Sequence, residues 1–348
     1  MNPYVLTILL SSLGLGTALT FASSHWLLAW MGLEINTLAI IPLMAQHHHP
    51  RAVEATTKYF LTQATAAAMI MFASTTNAWL TGEWDMNNMS NPIASTMIIT
   101  ALALKIGLAP MHFWMPEVLQ GLDLLTGLIL STWQKLAPLA LIIQTAQAVD
   151  PVLLTALGIM STLVGGWGGL NQTQLRKVLA YSSIAHMGWM IIVLQYAPQL
   201  TLLALGTYIF MTSAAFLTLK TSSATNISTL STVWSKSPIL TTTTALVLLS
   251  LGGLPPLTGF MPKWLILQEL AKQNLPITAT IMALAALLSL YFYLRLCYAM
   301  TLTISPNTAS STTPWRTRTT QSSLPLALST TIALGLLPMT PAILVLAT

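Results

Sequence analysis

Four ionisable side chains stand inside long apolar runs: Glu34, Lys105, Lys135 and Lys263. Each costs about 2.5–3.5 kcal/mol at the centre of a bilayer, and four left facing lipid would cost on the order of 10 kcal/mol. Snorkelling to the interface accounts for Lys58 and Lys272, which sit near the ends of their runs. It accounts poorly for Lys135, which is flanked on both sides by turns of apolar residues, and for Glu34, whose side chain is short. A lysine held between burial, which disfavours the ammonium, and a nearby carboxylate, which favours it, exchanges protons near neutral pH. The chemistry these residues suit is proton relay through the membrane interior, with Glu34 and Lys105 as one such pair. His112 and His186 can pass protons between the lysines; a hydrogen-bonded core role is the competing reading for each.

The elements that must hold them are membrane spans, which need about 20 mainly apolar residues each. Eleven runs qualify, at 3–22, 25–45, 58–80, 94–116, 124–146, 150–170, 176–196, 198–219, 239–264, 275–298 and 323–345. Their continuity, without alternation of period two, predicts helices rather than barrel strands. Gly107-Leu108-Ala109-Pro110-Met111-His112-Phe113-Trp114-Met115-Pro116 and Gly253-Leu254-Pro255-Pro256-Leu257-Thr258-Gly259-Phe260-Met261-Pro262 align without a gap. They share Gly, Leu, Pro, an aromatic, Met and Pro at one spacing, in the fourth and ninth runs. An odd separation makes the second copy cross in the opposite sense, the signature of an inverted-topology repeat. Pro110, Pro116, Pro255, Pro256 and Pro262 are expected to break both helices, because proline lacks the donor and blocks the carbonyl one turn back. Such breaks are tolerated in a bilayer only where they are packed in protein or line water. The expected fold is an all-α polytopic membrane protein of about eleven spans. A first repeat covers 1–147, a second 148–300, and a loop with a final helix 301–348.

Composition agrees. Of 348 residues, 54 % are hydrophobic and 6 % charged, against roughly 25 % charged in soluble domains; mean hydropathy is +0.72. This excludes a soluble enzyme, a disordered chain and a nucleic-acid binder, since the net charge of +5 is scattered singly among apolar runs. Cys297 is the only cysteine, which excludes an internal disulfide and a cysteine-ligated iron–sulfur cluster. No cleavable leader is expected, because the first apolar run reads directly into a span. Arg51, Lys58, Arg176, Lys177, Lys220, Lys236, Arg316 and Arg318 fall in loops on the N-terminal side, which places the N-terminus inside and, after eleven spans, the C-terminus outside.

Other signals are weaker. His47-His48-His49 reads as a solvated turn, because adjacent residues converge poorly on one ion. Gly165 and Gly169 in Gly165-Gly166-Trp167-Gly168-Gly169 suit close helix packing rather than phosphate binding. No nucleophile–base pair and no nucleotide fingerprint is present.

The opening Met1-Asn2-Pro3, the segment Trp30-Met31-Gly32-Leu33-Glu34-Ile35-Asn36, the stretch from Leu104 to Trp114, the triplet Trp133-Gln134-Lys135 and the Gly252-Gly253-Leu254-Pro255-Pro256 break resemble the chain 2 family of NADH–ubiquinone oxidoreductase. That family comprises mitochondrially encoded, antiporter-like subunits in the membrane arm of respiratory complex I; eleven spans fit the shortened animal form. The resemblance implies that Glu34 pairs with Lys105, that Lys135 is the central relay and that Lys263 lies toward the exit. One antiporter-like subunit of the complex carries Glu where Lys263 stands, but Lys fits chain 2. It also implies that NADH, FMN, iron–sulfur clusters and ubiquinone are bound by other subunits, and no cofactor or metal by this chain. The implied partners are the other membrane-arm and accessory subunits and lipids such as cardiolipin, in the mitochondrial inner membrane. The competing readings are a self-contained cation/proton antiporter and a scaffold with inactive ion sites.

Overall fold

The computed structural model describes residues 2–46, 49–86, 88–89, 91–235, 237–302 and 323–347. Lys236, Arg316, Arg318, and His47 and His48 of the histidine triplet lie outside them. The described residues are helical, with two isolated β-bridges (His25 with Asp85, Gln174 with Asn226) and no strand. The helices are α1 (Pro3–Ala22), α2 (Trp26–Met44), α3 (Pro50–Thr81), α4 (Pro92–Ile106), α5 (Trp114–Gly121), α6 (Leu124–Thr145), α7 (Pro151–Gly169), α8 (Leu175–Val193), α9 (Pro198–Ser222), α10 (Ile227–Ser231), α11 (Pro238–Gly252), α12 (Phe260–Lys272), α13 (Pro276–Thr301), α14 (Leu324–Gly335) and α15 (Thr340–Ala347).

Seven of these, α1, α3, α4, α7, α9, α11 and α13, begin on a proline. Proline suits the first helical position, where its missing N–H would have had no partner and its φ is already helical. Side chains complete several starts: Asn2 accepts from the Tyr4 N–H, His49 from the Arg51 N–H and Asn91 from the Ile93 N–H. His49, the described member of the triplet, thus caps α3.

Two compact units are present, Met1–Ser161 and Thr162–Thr348. In the first, α1 and α2 cross closely, because Gly16 and Gly32 carry no Cβ; one added to either would lie 2.9 or 2.8 Å from the other's carbonyl oxygen. Helix α3 presents Tyr59, Gln63, Ala66, Ile70, Ala73 and Asn77 as a buried stripe toward its neighbours. In the second unit, Gly165 lies against the α8 backbone, where an added Cβ would meet the Ala185 nitrogen at 2.7 Å.

Among the described residues, six helices are individually long and apolar enough to cross a membrane: α1, α2, α6 with its 3-10 extension, α7, α9 and α13. Helices α14 and α15 together form one further candidate, bent by 65°. The chain is an integral membrane protein.

Candidate proton-transfer site

Lys105 lies in the last turn of α4 and is 5 % exposed. The helix stops two residues later because Gly107 takes the left-handed conformation, φ 84°, which favours glycine. The Gly107 N–H donates to the carbonyls of Ala103 and Leu104, and the Leu108 N–H to Ala103. The Trp114 indole N–H reaches back to the Leu104 carbonyl at 3.0 Å. These bonds occupy carbonyls that a helix end leaves without partners.

The non-helical stretch 107–113 holds Pro110 and His112. His112 is 5 % exposed, with Nδ1 3.3 Å from the Pro110 carbonyl. Pro116 does not lie in the break: it occupies the first turn of α5, where a missing N–H costs nothing.

Lys135 lies inside α6 and is 2 % exposed. Pro138, three residues on, removes the intrahelical donor for the Gln134 carbonyl. Lys105 and Lys135 line one cavity with Asn36, Tyr59, Gln63, Gln134 and Trp114. Its volume is about 10 Å³, the order of one water molecule. Gln63 Nε2 donates to the Lys105 carbonyl and Gln134 Nε2 to the Asn36 carbonyl, tying α3 to α4 and α6 to α2 around it. Among the described residues Lys105 Nζ has no hydrogen-bond partner.

Glu34 is half-buried on α2, and its Oε2 accepts from the Thr37 hydroxyl at 3.1 Å. The first unit therefore brings Lys105 and Lys135 to one cavity framed by neutral polar groups, with Glu34 outside its lining.

In the second unit, α11 ends as α4 does. Gly253 has φ 84°, its N–H donates to Leu249 and Ser250, and the Leu254 N–H to Leu249. Lys263 Nζ donates to the Gly252 carbonyl at 2.8 Å. Pro255 and Pro256 lie in the non-helical stretch 253–259, whereas Pro262 sits in the first turn of α12, as Pro116 does in α5. The Thr258 hydroxyl donates to the Ala333 carbonyl and so fastens the stretch to α14. His186, half-buried on α8, lies against Tyr208 with ring centroids 5.5 Å apart. Tyr208 and Tyr293 are fully buried beside Ser183 and Ser182.

Sequence reading missed the amides of Asn36 and Gln63 and the tyrosines Tyr59, Tyr208 and Tyr293, which frame these sites. It also missed Arg295, whose guanidinium donates to the Leu170 carbonyl just beyond α7. Tyr59 and Gln63 carry one usable signal: they fall four apart, and so on one face of α3. Among the described residues, no group of three His, Cys, Asp or Glu side chains is placed to hold a metal ion.

Comparison with known proteins gives the family and the fold. Residues 23–289 match the model of the NADH:quinone oxidoreductase/Mrp antiporter transmembrane family, and residues 290–344 that of the NADH dehydrogenase subunit 2 C-terminus. The chain is 86 % identical over the full length of both chains to NADH-ubiquinone oxidoreductase chain 2 of Carassius auratus. Its structure is similar to a chain of respiratory complex I from Thermus thermophilus, at TM-score 0.87 and 29 % identity, covering 99 % of this chain and 80 % of that one. A chain of the Mrp complex from a Dietzia species shares the fold at TM-score 0.86 and 14 % identity, covering 97 % and 76 %. The chain belongs to the NADH–ubiquinone oxidoreductase chain 2 family, within the wider group of NADH:quinone oxidoreductase and Mrp antiporter membrane proteins.

Proposed function

We propose that this chain carries protons in the membrane arm of respiratory complex I, driven by electron transfer from NADH to ubiquinone in other subunits. The observation that carries the reading is the pair Lys105 and Lys135, two amines 5 % and 2 % exposed on the wall of one polar cavity. Buried amines in hydrocarbon are costly, and a chain that retains two marks a functional site. Glu34 modulates Lys105, Lys135 is the central relay, and His112, His186 and Lys263 extend the path.

In this reading residues 1–147 and 148–300 are two copies of one helical plan, each with a broken span, and about eleven spans cross the membrane. The matching ends of α4 and α11 support it. FMN, iron–sulfur clusters, NADH and ubiquinone belong to other subunits, which with cardiolipin are this chain's partners. The membrane is the mitochondrial inner membrane, with the N-terminus in the matrix and the C-terminus in the intermembrane space. The chain's relatives bear the name of the oxidoreductase subunit, which favours this reading over a free-standing antiporter.

The test is Lys135→Met in the assembled complex, measured as protons moved per NADH oxidised. A lowered yield is expected. An unchanged yield makes the chain a scaffold, and sodium transport by the purified chain alone in liposomes makes it an antiporter.

A further inference from the structure

We infer that Asn36 is a positioning residue for proton exchange between Lys105 and Lys135, its carboxamide bridging whichever amine is charged and whichever is neutral. The inference rests on the proton-carrier reading above.

Asn36 is 2 % exposed on α2, and among the described residues neither end of its amide has a hydrogen-bond partner. Burying an unpaired polar group costs about 1–3 kcal/mol, so a native chain that retains one calls for an explanation. Asn36 lines the cavity that Lys105 and Lys135 share, and Lys105 Nζ is itself without a hydrogen-bond partner among the described residues.

Two contacts hold the residue there. Gln134, next to Lys135 in sequence, donates from Nε2 to the Asn36 carbonyl at 3.2 Å. From the other side α1 presses on the amide, since a Cβ at Gly16 would stand 2.5 Å from Asn36 Oδ1. The amide thus lies between the α1 backbone and the cavity, and a turn about its Cβ–Cγ bond swaps its oxygen and nitrogen.

The chemistry follows from the donor inventory. A carboxamide both accepts and donates, whereas an ammonium only donates and a neutral amine offers a lone pair. Between one charged and one neutral lysine, the amide oxygen accepts from the ammonium and its NH₂ donates to the amine. When the proton passes from one Nζ to the other, the amide exchanges roles and neither gains nor loses a proton. A carboxylate at this place would bind the charged state and hold it.

The experiment uses the intact complex in sealed vesicles, with Asn36→Leu, Asn36→Asp and Lys135→Met compared for protons per NADH and for the pH profile of coupled turnover. Asn36→Leu is expected to lower coupled turnover about tenfold, the worth of one charge-assisted hydrogen bond. Asn36→Asp, nearly identical in volume, is expected to move the alkaline limb of the profile up by about one pH unit, because a carboxylate favours the ammonium. Normal turnover and profile in both variants overturn the proposal, as does lowered turnover on an unmoved profile. If neither variant assembles, the amide is structural and the proposal also falls. A full proton yield in Lys135→Met sinks the underlying reading instead, whatever Asn36 does.

Discussion

Lys263 Nζ donates to the carbonyl of Gly252 at 2.8 Å, so a side chain on α12 closes the end of α11. The ammonium has found its acceptor in the backbone rather than in a carboxylate. The carbonyls of a helix's last turn carry the negative end of its dipole, which suits a cation there. Removing the proton from Lys263 would weaken this contact, because a neutral amine donates less strongly than an ammonium.

Gly253→Ala is expected to disturb this cap. Gly253 has φ 84°, and an added Cβ would lie 3.0 Å from Lys263 Nζ. The left-handed backbone alone costs a non-glycine residue about 1–2 kcal/mol. Thermal inactivation of the assembled complex should shift downward and coupled turnover should fall, while electron transfer from NADH to an artificial acceptor is kept.

Trp114→Phe tests the other break. The substitution keeps an aromatic ring but deletes the N–H that reaches the Leu104 carbonyl at 3.0 Å. The Leu104 carbonyl keeps the Gly107 N–H as a donor, so the lost bond should cost about 0.5–1.5 kcal/mol. Because Trp114 also lines the cavity of Lys105 and Lys135, the proton yield per NADH should drop along with the thermal midpoint.

Gly165→Val should fail at assembly. A Cβ at this position would meet the Ala185 nitrogen at 2.7 Å and the Tyr181 carbonyl at 2.9 Å, both backbone atoms of α8. Overpacking costs typically 1–3 kcal/mol, and the first carbon is already too close. Native gel electrophoresis should show less mature complex; a normal amount would refute the close approach of α7 to α8.

The surface cluster at the start of α3 should matter little. Lys58 bridges Glu54 at 2.9 Å and Glu117 at 2.8 Å, all three exposed. The Lys58 ammonium holds the Glu54 carboxyl below its usual range, first through their hydrogen bond. A lowered carboxyl stabilises the fold above its unfolded value, and that stabilisation is lost as pH falls through the lowered one. Lys58→Gln should therefore leave the thermal midpoint at neutral pH nearly unchanged and flatten its decline in acid, which a pH series of melting curves will read.

How much of this was legible beforehand varies with the residue. The candidate lysines and Glu34 stand out because a charge in an apolar run is conspicuous by composition. The two breaks can be located from glycine and proline, but proline is not what ends the helices: Gly107 and Gly253 do, through their positive φ. Pro42 and Pro138 lie within continuous helices. The difference is tertiary, since neighbours can support a helix across a missing bond where loop packing favours a stop elsewhere. Asn36, Gln63, Tyr59 and Gln134 were hidden for another reason. Neutral polar side chains are common in apolar helices, and only the packing of α2, α3, α4 and α6 turns these four toward one cavity.

The small volume between Lys105 and Lys135 has a mechanical consequence. A space of about 10 Å³ has room for one molecule of water, not for a file of them. In the proposed function one water suffices to link the two amines, and admitting a second would require the surrounding helices to move apart. Hydrostatic compression, which penalises every such expansion, would act on it as a brake.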